Sequence, residues 1–420
     1  MSNATKNILG TPTIVDNVSF DTKVSANFLH KAIEEKRKDE IIHLLCTISN
    51  QQRQELALEF KQLFGEDLSA KLKKALSGDF EELILALLEP PAVYDAQQMH
   101  RAMSGLGTRE SVLIEILVTH SNRQIDEMKR VYEQLYGHPL EKDIVGDTSG
   151  AFQRLLVSLC NDSRDESWSS DPIRANMTAR ALFKESEVES GVNDVLFNQV
   201  LANENFIQLH LIFEEYQKVS GHPIEQAIQQ QFSGDTRDGY LAVVECVRNR
   251  HAFFAKVLQN STKSFLGIGR RDSDLIRLIV TRAECDMVEI KEQFMQMFNT
   301  PLEKAIESNC SGPYKDGLLT LPLNKLLPVG VDFDLLVGTI VLVANASKFK
   351  ISPSFATAHF AAVGSAAALP PMPLKLHRSN GDDRWESNWR GGGVTSSTPP
   401  PICCASFASG AAARATEATD

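Results

Sequence analysis

The stretch Gly137-His138-Pro139-Leu140-Glu141-Lys142-Asp143-Ile144-Val145-Gly146-Asp147-Thr148-Ser149-Gly150 carries a beat that recurs along the chain. A glycine, or asparagine in the last copy, stands at 65, 137, 221 and 299, and three residues later comes Leu68, Leu140, Ile224 or Leu302. At plus thirteen falls the glycine of a Ser-Gly pair: Ser77-Gly78, Ser149-Gly150, Ser233-Gly234, Ser311-Gly312. The beat returns after 72, 84 and 78 residues, too long for one unit of a short-repeat solenoid. Each unit is therefore a small multi-helix module, and four of them fill residues 16 to about 322.

Within a unit the apolar period is helical. In the second, Val112, Ile116, Leu117 and His120 mark one stretch, and Ile125, Met128, Val131, Tyr132 and Leu135 another. Gly137 stops the latter helix and Pro139 permits a new first turn. A short helix over 139–145, a turn at Asp147–Gly150, an apolar helix Phe152–Cys160 and a first helix Ala92–Met103 complete the unit. The reading is all-α, with five helices per repeat. It divides the chain into an arm (1–15), repeats at 16–88, 89–162, 173–247 and 248–322, a linker at 163–172, and a low-complexity tail from 323 to 420.

Composition narrows the function. With 43 basic and 54 acidic residues the formal charge is -11, the wrong sign for a nucleic-acid binder or for a protein held to membranes by a polybasic patch alone. An anionic lipid partner would need something positive in between. Seven cysteines form no C-x-x-C, and Cys46, Cys160, Cys246 and Cys285 lie among apolar residues, as reduced core side chains of a cytosolic protein would. Residues 1–6 lack the apolar segment of a signal peptide. The longest apolar run of the tail, Leu335–Ala344, is far short of the roughly 20 residues that span a bilayer. Rich in alanine, with Pro370-Pro371, Gly391-Gly392-Gly393 and Pro399-Pro400-Pro401, the tail reads as largely unstructured. One extra helix or strand at 331–346 and a weak patch at Trp385 and Trp389 are its only candidate features.

Met103-Ser104-Gly105-Leu106-Gly107-Thr108 forms a tight turn between two helices, and its two glycines let backbone carbonyls converge. Forty residues past Gly107 comes Asp147. Calcium takes about six to eight oxygens, so carbonyls plus one carboxylate leave room for water or a lipid phosphate. The ligands expected are the carbonyls of Met103, Gly105 and Gly107 and the carboxylate of Asp147. Alone, G-x-G-T fits an ordinary interhelix turn with Thr108 as N-cap equally well; the acidic residue at the end of the same module makes the calcium reading more specific.

On Met103–Thr108, Asp147–Gly150, the run Leu76-Ser77-Gly78-Asp79-Phe80-Glu81-Glu82-Leu83-Ile84 and the repeating core, the chain resembles an annexin over about 16–322. The resemblance implies four five-helix repeats in a slightly curved disc whose convex face binds Ca2+ and, through it, acidic phospholipids such as phosphatidylserine. It also implies a minor site at the Thr108 carbonyl and Glu110, with Glu81 at a comparable position in the first repeat. Asp95, Glu115 and Arg277 match charged positions lining a central channel. His120 stands where an arginine is typical, and Arg282 keeps its counterpart; pairing that fixes module orientation is the favoured role for these charges.

The other repeats depart from the pattern. In the first, Ile33-Glu34-Glu35-Lys36-Arg37-Lys38 has lost both glycines, and Ala75 replaces the carboxylate, so no main calcium site is expected. Its three consecutive basic residues either meet lipid head groups directly or form a solvated turn. In the third, Ser186–Gly191 keeps one glycine and Gln231 replaces the carboxylate. In the fourth, Phe265, Gly267 and Gly269 keep the turn while Asn309 supplies an oxygen without charge, which predicts a weaker site.

The expected function is calcium-dependent, reversible binding to acidic phospholipid by a cytoplasmic, peripheral protein with no nucleic-acid partner. The alternative is a structural or cytoskeletal scaffold with largely calcium-independent protein contacts; lateral self-association would serve either. An enzyme is not expected: ten histidines form no H-E-x-x-H, and no Walker-type loop occurs.

Overall fold

The computed structural model describes residues 10–105, 107–161, 163–186, 194–262 and 272–323, all within the first of two units, Met1–Val331. The tail features at 331–346, Trp385 and Trp389 lie outside the described residues, as does most of the third repeat's turn.

Twenty helices and no strand occur among the described residues. Repeat 1 holds α1 (Thr22–Glu34), α2 (Lys38–Leu45), α3 (Asn50–Phe64), α4 (Leu68–Ala75) and α5 (Gly78–Leu88). Repeat 2 holds α6 (Pro91–Met103), α7 (Glu110–Thr119), α8 (Asn122–Tyr136), α9 (Leu140–Asp147) and α10 (Gly150–Cys160). Repeat 3 holds α11 (Pro172–Ser186), α12 (Asp194–Asn203), α13 (Phe206–Ser220), α14 (Ile224–Gln231) and α15 (Gly234–Arg248). Repeat 4 holds α16 (Arg250–Thr262), α17 (Asp272–Ala283), α18 (Met287–Phe298), α19 (Leu302–Asn309) and α20 (Gly312–Leu323).

The beat now has a physical cause at each mark. Its first residue ends the third helix in the left-handed conformation, with φ of 69° at Gly65 and 76° at Gly137; Asn299 reaches 52°, a conformation asparagine tolerates better than other side chains. The residue three positions on opens the fourth helix and is buried in all four copies. Serine capping boxes, Ser49 with Gln52 and Ser121 with Gln124, start the third helix in repeats 1 and 2.

In every repeat the first and third helices pack together. The fifth helix then packs on the second helix of a different repeat, and the exchange is mutual. α10 lies against α12 and α15 against α7, while α5 lies against α17 and α20 against α2. Repeats 2 and 3 thus form one pair and repeats 1 and 4 another. Small residues allow the fifth helices to meet. A Cβ on Gly239 of α15 would stand 3.2 Å from Leu155 of α10, and one on Gly317 of α20 would stand 2.8 Å from Leu83 of α5. The arm ties the second pair: Thr13 and Ile14 donate backbone N–H to the Ala283 carbonyl of repeat 4. Asp16 accepts from Ser49 of repeat 1.

Several expectations need correction. Cys46, Cys160 and Cys246 are buried, but Cys285 is exposed because it lies in the turn after α17. α9 continues through Asp147, leaving only Thr148 and Ser149 between it and α10. α7 ends at Thr119, so His120 leaves the helix and pairs with Asp95 at 2.9 Å.

The Leu83–Gly317 contact is testable. Gly317→Leu is expected to cost about 1–3 kcal/mol, as overpacking of a close-packed interior does. Adding Leu83→Ala should recover part of that loss, which urea melts of both variants would measure. Independent, additive losses would mean that the two positions do not face each other.

Candidate calcium site

The turn after α6 is built by two left-handed glycines, Gly105 (φ 112°) and Gly107 (φ 85°). A Cβ at either would meet nothing within 4 Å, so the backbone angle, not crowding, requires glycine. The turn closes where Arg109 donates its N–H to the Ala102 carbonyl at 2.8 Å. Arg109, not Thr108, is the N-cap of α7. Thr108 instead reaches across the repeat, its hydroxyl 2.8 Å from Asp147 Oδ2 and 3.2 Å from the Asp147 carbonyl. The turn and the end of α9, distant in sequence, are thereby held together.

The donor set suits a hard cation. Met103 is buried, whereas Gly105, Gly107 and Asp147 are exposed. Among the described residues no N–H or O–H donates to the carbonyls of Met103, Gly105 or Gly107. Nor do three His, Cys, Asp or Glu side chains converge among those residues. An ion here would rest mainly on backbone oxygens with one carboxylate, a set that fits calcium. Glu110, the first residue of α7, lines a cavity of about 370 Å³ with Asp147, Gly150 and Asp235.

The neighbouring repeats differ in ways that bear on a cation. In repeat 3 the Gln231 amide donates to the Ser186 carbonyl at 2.8 Å, so an N–H occupies the oxygen matching that of Met103. In repeat 4 the Asn309 amide folds back on its own helix, donating to the Ala305 carbonyl at 2.7 Å; Phe265, Gly267 and Gly269 lie outside the described residues. In repeat 1 Arg37 donates to the Ala32 carbonyl, the same closing bond as Arg109 to Ala102. Four residues lie inside that bond, against six in repeat 2, so the carbonyl loop itself is shortened.

Charge anchors the site to repeat 4 through Glu115 and Arg277, which the resemblance had singled out, and through Arg109 and Asp274, which the sequence reading missed. Arg109 pairs with Asp274 of α17, and Asp274 also accepts from Arg277 at 2.7 Å. Arg277, 1% exposed, reaches Glu115 of α7 at 2.6 Å. Burial alone would raise the Asp274 carboxyl, but Arg277 and Arg109 hold it below its ordinary range. Asp95 and Arg282 pair separately, with His120 and Asp286.

The annexin family profile matches residues 24–87, 94–159, 177–243 and 253–321. Annexin A7 of Macaca fascicularis is 41% identical over 311 residues, covering 74% of this chain but only 63% of that protein. Annexin A5 of Mus musculus is 39% identical, covering 74% of this chain and 97% of that one. Among solved structures, annexin III aligns with a TM-score of 0.73 at 37% identity, over 75% of this chain and 98% of the other. Calcium-bound annexin (Sm)1 aligns with a TM-score of 0.67 at 26% identity, over 75% and 93%. Four profile matches on four five-helix repeats, with relatives near 40% identity, make this chain a member of the annexin family.

Proposed function

We propose that this chain binds acidic phospholipid surfaces reversibly and calcium-dependently, chiefly through the turn of repeat 2. The carrying observation is the pairing of three open carbonyl positions, Met103, Gly105 and Gly107, with a carboxylate held beside them by Thr108. Calcium there would be ligated incompletely by protein, leaving positions for a lipid phosphate, and its charge would offset the repulsion felt by a protein of net charge -11. The Thr108 carbonyl and Glu110 supply a minor site, and the turn of repeat 4 with Asn309 a weaker one. Among the described residues no helix is long and apolar enough to cross a membrane; the attachment proposed is peripheral, at a cytoplasmic face. Side-by-side assembly would multiply a modest single-site affinity.

A scaffold reading, with protein partners and little calcium dependence, draws on the Gln231–Ser186 bond and the shortened turn of repeat 1. Sedimentation with phosphatidylserine and with neutral vesicles across a calcium titration separates the two. Equal, calcium-independent binding to both vesicles would favour the scaffold.

Asp147→Ala should abolish most calcium-dependent sedimentation while costing far less stability than the roughly 2–5 kcal/mol of a core truncation. An unchanged calcium titration for this variant would falsify the ligand assignment. Asn309→Asp should lower the calcium needed for half-maximal lipid binding more than Gln231→Glu does, since an added anion helps most where the remaining cage is already shaped. Titration calorimetry of both variants, with and without vesicles, measures this; no gain for Asn309→Asp would remove repeat 4 from the calcium sites.

A further inference from the structure

Matched through their closing bonds and fourth helices, repeats 1 and 2 have opposite charge at the same loops. Repeat 2 carries Glu110 at the start of α7 and Asp143 and Asp147 on α9. At the matching starts and turns repeat 1 carries Lys38 on α2 and Lys71, Lys73 and Lys74 on α4, with Ala75 in place of Asp147. Lys38 and Lys71 thus stand where repeat 2 has Glu110 and Asp143, and Lys73 and Lys74 stand at the places of Val145 and Gly146. The shortened turn adds Lys36, held in the left-handed conformation at φ 56°.

Several of the acids around these lysines are already engaged. Lys71 bridges Glu34 at 2.6 Å and Glu66 at 2.9 Å, holding both carboxyls below the usual range through its hydrogen bonds. Arg37 takes Glu35 and Glu40, and Asp67 caps α4 by accepting from Ala70. Asp39 is exposed next to Lys38, and Lys73 lines a cavity with Asp79, Glu81, Glu82 and Glu89. Lys36, Lys38, Lys73 and Lys74 are exposed, and none lies within ion-pair distance of a carboxylate among the described residues. Lys38 stands 5.8 Å above the ring of Phe80, in the first turn of α5, which the last turn of α4 feeds directly. The patch therefore gathers around one turn.

α5, which that turn feeds, lies beside the repeat 2 site. Asp79 and Glu82 of α5 line one cavity, of about 510 Å³, together with Thr108, Arg109 and Glu110. A lipid surface approaching Asp147 and Thr108 would also approach repeat 1.

We propose that Lys36, Lys38, Lys73 and Lys74 form a calcium-independent contact for the anionic head groups of a phospholipid membrane. Repeat 1 would supply, as fixed side-chain charge, the positive charge that repeat 2 takes from calcium. The inference rests on the membrane-facing orientation assumed in the proposed function but not on calcium binding at Asp147. A lysine near an anionic surface is worth roughly a fivefold gain in binding, so four lysines offset part of the repulsion from a net charge of -11. The contact is weak alone, screened by salt over a Debye length of about 10 Å at 0.1 M, and strong in combination with a calcium-held turn on the same face.

The test uses the full chain and phosphatidylserine-containing vesicles, with neutral phosphatidylcholine vesicles as control. In a calcium chelator at low ionic strength, the unmodified protein should sediment with the anionic vesicles alone, and added salt should release it. Replacing all four lysines by glutamine should weaken this binding at least about tenfold, on the per-lysine gain above; replacing them by arginine should preserve it. Asp147→Ala should leave it intact while removing the calcium-dependent component, so the two sites fail separately. Circular dichroism and thermal melts of the glutamine variant should match the unmodified protein, since the four side chains are exposed. No chelator-resistant binding, equal binding to neutral vesicles, or an unaffected glutamine variant would each overturn the proposal. So would retention on soluble polyanions such as heparin without binding to the vesicles.

Discussion

The guanidinium of Arg277 is the charge around which this molecule is organised. It is almost fully enclosed, and Glu115 of one repeat and Asp274 of another satisfy it together. Enclosing such a group is tolerable only with paired, hydrogen-bonded counter-charges, and removing one partner of a buried pair typically costs about 3–5 kcal/mol. Asp274 in turn holds Arg109, the residue that closes the turn of the candidate site. The network therefore joins repeat 2 to repeat 4 and fixes one end of the site, while Thr108 and Asp147 fix the other. These charges act as an orienting clamp in this geometry.

Around that clamp, four copies of one helical plan have been given different electrostatics. Repeat 2 keeps its loop carbonyls open and a carboxylate beside them. Repeat 3 turns an amide N–H onto the matching carbonyl, through Gln231 and Ser186, so the oxygen is satisfied from within the protein. Repeat 1 shortens the loop and places lysines where repeat 2 has carboxylates. The backbone plan survives all three solutions because it depends on left-handed stops, buried anchors and fifth-helix crossings, none of which involves the loop side chains. Burial maintains the fold, and the exposed loops are left free to change charge.

The site was partly legible before any coordinates. The two glycines of the turn and the lone Asp147 announced a loop of carbonyls with one anion, because only glycine readily takes the left-handed angles that such a loop needs. Thr108 was harder: as a residue next to a helix start it read as an N-cap, and only the fold shows its hydroxyl directed to Asp147 instead. Lys71 could have been found by setting 71 against 143 in the repeat alignment, where lysine replaces aspartate. Arg109 offered no such signal, since its partner Asp274 lies 165 positions away.

Periodicity, left-handed stops and the Ser-Gly marks were enough by themselves to establish four five-helix repeats, because helix starts and ends are set by local backbone preferences readable from neighbouring residues. The pairing of repeats 2 with 3 and 1 with 4 was decided only in three dimensions, where Leu155 meets Gly239 and Leu83 meets Gly317. Knob and hole belong to different repeats, and shape complementarity across such distances leaves no local pattern. The same holds for the charges: the sequence lists forty-three basic and fifty-four acidic residues, but which of them neutralise one another depends on which helices the chain brings face to face.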